Sequence, residues 1–294
     1  MSPEEVLARE PKVLAPAQRA FYFDNGYLLL DRVLTDDRLS GLRAAADQIV
    51  AATGSLTSST PTIGLHPDHT AQRPMLTGIF NVDEESDAIW RFVSNSELTD
   101  IVGDLLGPDL RFHHTLLFFK RPGRHFGWHQ DIAYYPHTNA SPLTVGVHLD
   151  DCGPKNARTV VIPGSHNGEL FDHNDEAGDF AGLIAKPDLA RLDVSAKVEL
   201  TAPAGSVEIF NSRTVHADNM GAEEDGGACL HVGYTAADAM PYCPVAWRSQ
   251  RYGTIVRGRP ARFARHDREG CPVPRDSAAR DRALSFEDRG TSLP

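Results

Sequence analysis

Trp128-His129-Gln130-Asp131, followed 85 residues after the aspartate by His216 in the stretch Phe210-Asn211-Ser212-Arg213-Thr214-Val215-His216, decides how the rest of this chain is read. On a β-strand, residues i and i+2 point to one face. His129 and Asp131 are therefore expected to turn inward together and to present an imidazole nitrogen and a carboxylate oxygen to one metal ion. His216 is the candidate third ligand. Two neutral imidazoles and one carboxylate on one face of an octahedral ion are the ligand set of non-haem Fe(II) sites, which keep positions open for a cosubstrate and O2. A single His-x-Asp triplet occurs often by chance, and a single strand histidine is usually a packing residue. Only the three together carry the reading.

Outward from the triplet, the chain divides by pattern. After a polar leader, residues 17–25 read as a short helix and Gly26-Tyr27-Leu28-Leu29-Leu30 as a buried strand closed by Asp31. Thr35 or Asp36 can cap a second helix, whose apolar positions Leu39, Leu42, Ala46, Ile49 and Val50 recur at helical spacing. Residues 53–72 are rich in Ser, Thr, Gly, Pro and His and read as a loop near the mouth of a site, and 87–106 as one more helix. From 111 onward, Gly and Pro punctuate expected strands at 111–120, 142–149, 158–162, 196–200, 206–210 and 228–235. Many short strands after a helical section predict a mainly β protein with flanking α-helices, a closed or sandwiched β architecture with helices packed outside. The tail 256–294 holds nine Arg among Pro, Gly and Asp and reads as irregular.

At 294 residues a single domain suffices: 1–110 packing on a β core at 111–240, with 256–294 as an extension. Forty acidic against 29 basic side chains, a formal charge of −11, argue against a nucleic-acid surface and against attraction to anionic lipid, and so for a small-molecule partner. Cys152, Cys229, Cys243 and Cys271 show no paired spacing and fit reduced thiols. The charged N-terminus lacks the apolar core of a signal peptide, and no run of about 18 apolar residues occurs. A cytoplasmic enzyme is the expectation.

Further marks accompany the triplet: Lys120-Arg121-Pro122-Gly123 before it, Leu149-Asp150-Asp151 and Val160-Val161-Ile162-Pro163-Gly164-Ser165-His166 between the ligands, and Tyr234-Thr235-Ala236-Ala237-Asp238-Ala239 after His216. In this order they resemble the phytanoyl-CoA dioxygenase family of Fe(II)/2-oxoglutarate-dependent oxygenases, over residues 20–260. The resemblance implies a double-stranded β-helix, the cupin-like jelly roll, with iron near one mouth held by His129, Asp131 and His216. It implies 2-oxoglutarate and O2 as cosubstrates, with succinate and CO2 released as an aliphatic C–H of a small substrate is hydroxylated or otherwise oxidised. Asn219 takes the position of an Asn that shapes the cosubstrate pocket. Pro163-Gly164-Ser165-His166 looks like the family's structural turn. A halogenase is disfavoured because Asp131 is retained.

One departure stands out. In this family an Arg about eleven residues beyond the distal His pairs with the distal carboxylate of 2-oxoglutarate, a role suited to a guanidinium fork. Here that position is Gly227, beside Glu223, Glu224 and Asp225. A buried carboxylate needs another cation. Arg158, opening a core strand, is the first candidate and Lys120, closing another, the second; His148 is a further cavity-facing candidate. The alternative is a metal-binding jelly roll that has lost 2-oxoglutarate-dependent catalysis with its Arg. Residues 53–78 and 167–190 are expected to frame the entrance, with Tyr134, Tyr135, Phe171 and Phe180 as candidate walls. A specialised metabolite or amino-acid derivative is the expected substrate class; the oligomeric state is not legible.

Overall fold

The computed structural model describes residues 1–120, 126–156, 158–218, 227–245, 247–267 and 270–273. The N-terminal part runs α1 (Pro3–Leu7), α2 (Pro16–Asn25), β1 (Tyr27–Leu30), α3 (Asp36–Ala52), β2 (Ile63–Leu65), β3 (Leu76–Phe80), α4 (Val82–Glu85), α5 (Asp87–Ser94) and α6 (Glu97–Leu106). Then follow β4 (Leu110–Lys120), β5 (Phe126–His129), β6 (Leu143–His148), β7 (Thr159–Val161), α7 (Lys186–Leu189), β8 (Val198–Glu199), β9 (Val207–Asn211), β10 (His216–Asp218), β11 (Gly227–Ala236) and β12 (Ile255–Arg257).

Local chemistry sets the helix limits. Thr35 caps α3, its hydroxyl accepting from the Arg38 amide. Gly26 ends α2 in the left-handed conformation at φ 78°, which a residue without Cβ adopts freely. The single helix expected over 87–106 is two. Asn95 leaves the helical conformation at φ −157° and ψ 74°, and the extended Ser96 starts α6 by accepting from the Leu98 amide, so a new cap interrupts what looked like one periodic run.

Two antiparallel sheets face each other. The larger has the order β1-β9-β6-β11-β4-β3-β2, with β12 also on β4; the smaller is β5-β10-β7-β8. The major core lies on the outer side of the large sheet. There Leu117, Val145, Val147, Ile209, Leu230 and Val232 pack with Leu39, Leu42, Ile49, Ile89, Phe92, Leu98 and Val102 from α3, α5 and α6. Because side chains alternate along a strand, the residues between them turn to the space between the sheets. These are Leu116, Phe118 and Lys120 on β4; Thr144, Gly146 and His148 on β6; Glu208 and Phe210 on β9; and Cys229, His231 and Gly233 on β11. The inner face is thus polar and aromatic while the outer face is aliphatic.

Two sequence expectations change. Residues 53–78, read as a loop, contain β2 and most of β3, which extend the large sheet beside β4; β3 is buried throughout. The tail contributes β12 to the edge of β4 at Ile255 and Arg257, whereas 274–294 lie outside the described residues. Among the described residues no helix is long and apolar enough to cross a membrane.

Candidate metal centre

His129 is the last residue of β5 and His216 the first of β10, and the two are direct cross-strand partners. Asp131 does not lie on the strand. It opens a single 3-10 turn, Asp131–Ala133, after an extended Gln130. The three nevertheless converge: Asp131 Oδ1 lies 3.5 Å from His129 Nε2 and 3.6 Å from His216 Nε2. Ligand atoms about 2.1 Å from one ion and at right angles sit about 3 Å apart, so a small inward adjustment suffices to seat a divalent ion.

The opposite atom of each side chain is already committed. His129 Nδ1 is 2.9 Å from the Gly127 carbonyl, and His216 Nδ1 is 2.9 Å from the Thr214 carbonyl. A carbonyl accepts only, so each Nδ1 carries the proton and each Nε2 lone pair faces the shared point. Asp131 Oδ2 accepts from Tyr135 Oη and from Thr144 Oγ1, each at 2.7 Å, which leaves Oδ1 for the ion. Gln130 locks the turn: its amide nitrogen donates to His173 Nε2, and its side-chain amide nitrogen donates to the Glu169 and Arg213 carbonyls. Burial pushes His216 down to about 4, with His129 beside it acting the same way, so its ring is neutral and fit to ligate near neutral pH. Burial alone would raise the Asp131 carboxyl; His216, His129 and Thr144 outweigh it and hold it well below the usual carboxylate range.

The triad opens into a cavity of about 120 Å³ whose walls include Phe80, Phe126, Tyr134, Tyr135 and Trp247, with His114, His231 and Asp218 as further polar groups. Phe80 and Trp247 stack at 4.8 Å and 19°. Among the described residues, two buried polar atoms at this cavity have no hydrogen-bond partner: Trp247 Nε1 and His231 Nε2, the latter 4.0 Å from Glu208 Oε1. Of the four expected wall residues, Tyr134 and Tyr135 line the cavity. Phe180 packs edge-on against the Tyr134 ring at 5.2 Å and, with Phe171, lines a separate recess.

The candidates for the missing cation are sorted by the same alternation. Arg158 is a correction. It precedes the inward Thr159 and so turns away, and its guanidinium is spent on Glu199 and on the Pro154 and Asn156 carbonyls. Lys120 is inside the sandwich, 1% exposed, on the inward face that continues from Phe118. His148 is inside as well, 3.0 Å from Glu208 Oε2 rather than at the triad. Asn219 lies outside the described residues. Gly227 has φ 71°, and a Cβ there would come within 2.3 Å of Asp150 Cβ, so backbone and space both exclude a side chain at this position. Sequence reading missed Thr144, Tyr135 as an Asp131 partner, Glu208, Phe80 and Trp247. Glu208 had a legible signal, a lone acid within the apolar strand Val207-Glu208-Ile209-Phe210.

This frame and donor set define the non-haem iron dioxygenases built on a jelly roll. The family model described as phytanoyl-CoA dioxygenase (PhyH) matches residues 22–218. The chain is 30% identical, over 84% of its length and 88% of the relative, to a probable alpha-ketoglutarate-dependent hypophosphite dioxygenase of Stutzerimonas stutzeri. It is 27% identical to an ectoine dioxygenase of Sphingopyxis alaskensis over 69% of this chain and 70% of that one. The crystal structure of EctD from S. alaskensis with 2-oxoglutarate and 5-hydroxyectoine superposes with a TM-score of 0.65 at 25% identity, covering 93% of this chain and 91% of the other. The form with bound Fe gives 0.68 at 24% identity, over 92% and 94%. The chain belongs to the phytanoyl-CoA dioxygenase family, and is thereby a dioxygenase of the Fe(II)- and 2-oxoglutarate-dependent class, with O2 as cosubstrate.

Proposed function

We propose that His129, Asp131 and His216 hold one Fe(II), and that the enzyme oxidises an aliphatic C–H of a compact small molecule. The observation that carries this is the convergence of three ligand atoms within 4.8 Å of one another, each with its opposite atom already hydrogen-bonded. Iron with 2-oxoglutarate and O2 supplies the oxidising power; the chain supplies position and exclusion of water. Tyr135 and Thr144 orient the carboxylate, the two backbone carbonyls fix both tautomers, and the ring walls keep the reacting carbon dry.

The cavity also constrains the substrate. An indole N–H only donates, and a buried unpaired donor costs about 1–3 kcal/mol. Trp247 Nε1 therefore favours a substrate that offers an acceptor oxygen at the cavity wall and an apolar body to Phe80, Phe126 and Tyr134. No Lys or Arg lines this cavity among the described residues, and its volume suits a metabolite or an amino-acid derivative better than the nucleotide end of an acyl-CoA. The second reading, a jelly roll that binds metal without catalysis, is not favoured, because the whole orienting shell around the triad is intact.

The test is anaerobic titration of the protein with Fe(II) and then 2-oxoglutarate, followed by the visible charge-transfer absorption of the chelate, and by succinate release across a metabolite panel in air. One iron per chain is expected, lost in Asp131→Ala. Equal iron binding by that variant would sink the assignment.

A further inference from the structure

Below the metal cavity the sandwich holds a charged cluster that the proposed chemistry leaves unused. Lys120, Glu208 and His148 are buried at 1%, 0% and 1% exposure. Glu208 Oε1 lies 3.6 Å from Lys120 Nζ and 2.7 Å from Thr159 Oγ1, and Oε2 lies 3.0 Å from His148 Nε2. Lys120 Nζ also donates to Thr159 Oγ1 at 3.0 Å. The strand opposite is shaped for this acid: a Cβ on Gly146 would fall 2.7 Å from Glu208 Cγ. Lys120 stands two residues along β4 from Phe118, and Glu208 two along β9 from Phe210, both of which line the metal cavity. Two strand residues span about 7 Å, comparable with the length of a five-carbon diacid.

His148, Glu208 and Cys229 also group closely enough to suggest a metal site. Lys120 already occupies the cationic position at Glu208, and burial pushes the Cys229 thiol up, so the thiolate that a metal requires is absent.

We propose that Glu208 sets cosubstrate affinity: the distal carboxylate of 2-oxoglutarate takes the place of Glu208 on Lys120 and Thr159, and Glu208 accepts a proton from solvent as it yields. The inference rests on the proposed iron site, because the chelated end of the cosubstrate must lie there. Its physical ground is charge balance in a dry space. The groups facing Glu208 are Lys120 on β4, His148 on β6, Thr159 on β7, and Cys229 and His231 on β11, with Asp218 on β10 bonded to Thr159 at 2.8 Å. Lys120 and His148 supply two positive charges against Glu208 and Asp218. Among the described residues a third carboxylate has no cation left in this cluster, since Gly227 stands where the family's Arg would supply one. Like charges at close range disfavour joint ionisation, so a proton enters with the ligand. His148 keeps its place on the neutral acid.

The experiment is isothermal titration calorimetry of the Mn(II)-loaded full chain with 2-oxoglutarate, in buffers of differing ionisation enthalpy from pH 6.5 to 8.5. Uptake of close to one proton per ligand is expected, with Kd weakening close to tenfold per pH unit. A 2-oxo acid without a second carboxylate, 2-oxobutanoate, should bind with no such uptake, which subtracts any proton released at the metal. Glu208→Gln should abolish the uptake and tighten 2-oxoglutarate at least tenfold at pH 8. Lys120→Met should weaken 2-oxoglutarate while sparing 2-oxobutanoate. If Glu208→Gln does not fold, the wild-type proton count and the comparison of the two acids decide. Binding of 2-oxoglutarate without proton uptake overturns the proposal and leaves the iron site standing. Failure of Mn(II) to bind, or of 2-oxoglutarate to bind the metal-loaded wild type and Glu208→Gln alike, overturns both.

Discussion

At the scale of single residues, the tuning of the centre depends on who holds the far side of each ligand. Asp131 donates nothing and accepts from two hydroxyls on one oxygen, so Tyr135 and Thr144 determine which oxygen faces the ion. Orienting partners of this kind are worth about 10–100-fold in metal affinity when removed. Tyr135→Phe and Thr144→Val are each expected to lower Fe(II) affinity by about tenfold, and the pair together by more, as read by competition with a chelator. Unchanged affinity in the double variant would mean that the turn, not the hydroxyls, positions the carboxylate. Trp247 belongs at this scale too. Trp247→Phe keeps an aromatic face, though a smaller one, and removes the donor, so it should raise KM for an oxygen-bearing substrate by about tenfold while leaving the 2-oxoglutarate KM alone; a matched rise in both would indicate general loosening of the wall.

At the scale of elements, strand alternation explains what could be read in advance. The six strands expected between 111 and 235 each fell within two residues of their observed bounds because most are apolar runs bounded by Gly, Pro or Asp, whereas the short β5 and β10 that carry His129 and His216 were not among them. The triad residues were legible because they share one unusual motif. Thr144, Glu208 and His148 were not singled out together, since Thr144 and His148 lie at opposite ends of β6 and Glu208 on β9, and only the pairing of β6 with β9 brings their inward positions into one layer. Arg158 was misjudged by one residue of phase: a strand reverses face at every step, and the inward position is Thr159. The helix over 87–106 was read as continuous because hydrophobic spacing persists through Asn95 and Ser96, and only the cap reveals the break. Ser96→Ala should cost about 1 kcal/mol, measured as a drop in the urea midpoint without a change in slope. A loss well below that would show that burial of Leu98 and Val102 alone fixes where α6 begins.

At the scale of the whole molecule, the interior cluster ties stability to pH. Burial disfavours the charged form of His148, but Glu208 overrides it and raises the imidazole to about 9. In the unfolded chain the ring returns to about 6.5. The pair's contribution is therefore complete below about pH 6.5, declines as pH rises from there, and is lost once pH passes about 9. Burial likewise opposes ionisation of Glu208, but Lys120 and His148 together hold it well below the usual carboxylate range. Its share is present above about pH 4.5 and lost on acidification. The broadest stability is thus expected between about pH 5 and 6.5, with an alkaline limb worth on the order of 3 kcal/mol between pH 6.5 and 9.5. Cys229, kept protonated by burial, adds its own alkaline loss, so the limb must be apportioned by substitution. His148→Gln retains a hydrogen bond to Glu208 without the charge; it should be less stable than the wild type at pH 6.5 and should converge on it by pH 9.5, with a flatter profile between. Urea unfolding across that range, with fold checked by circular dichroism at each pH, reads both curves. Parallel curves for wild type and His148→Gln would mean that His148 does not carry charge inside the barrel, and the charge balance drawn around Glu208 would have to be redrawn.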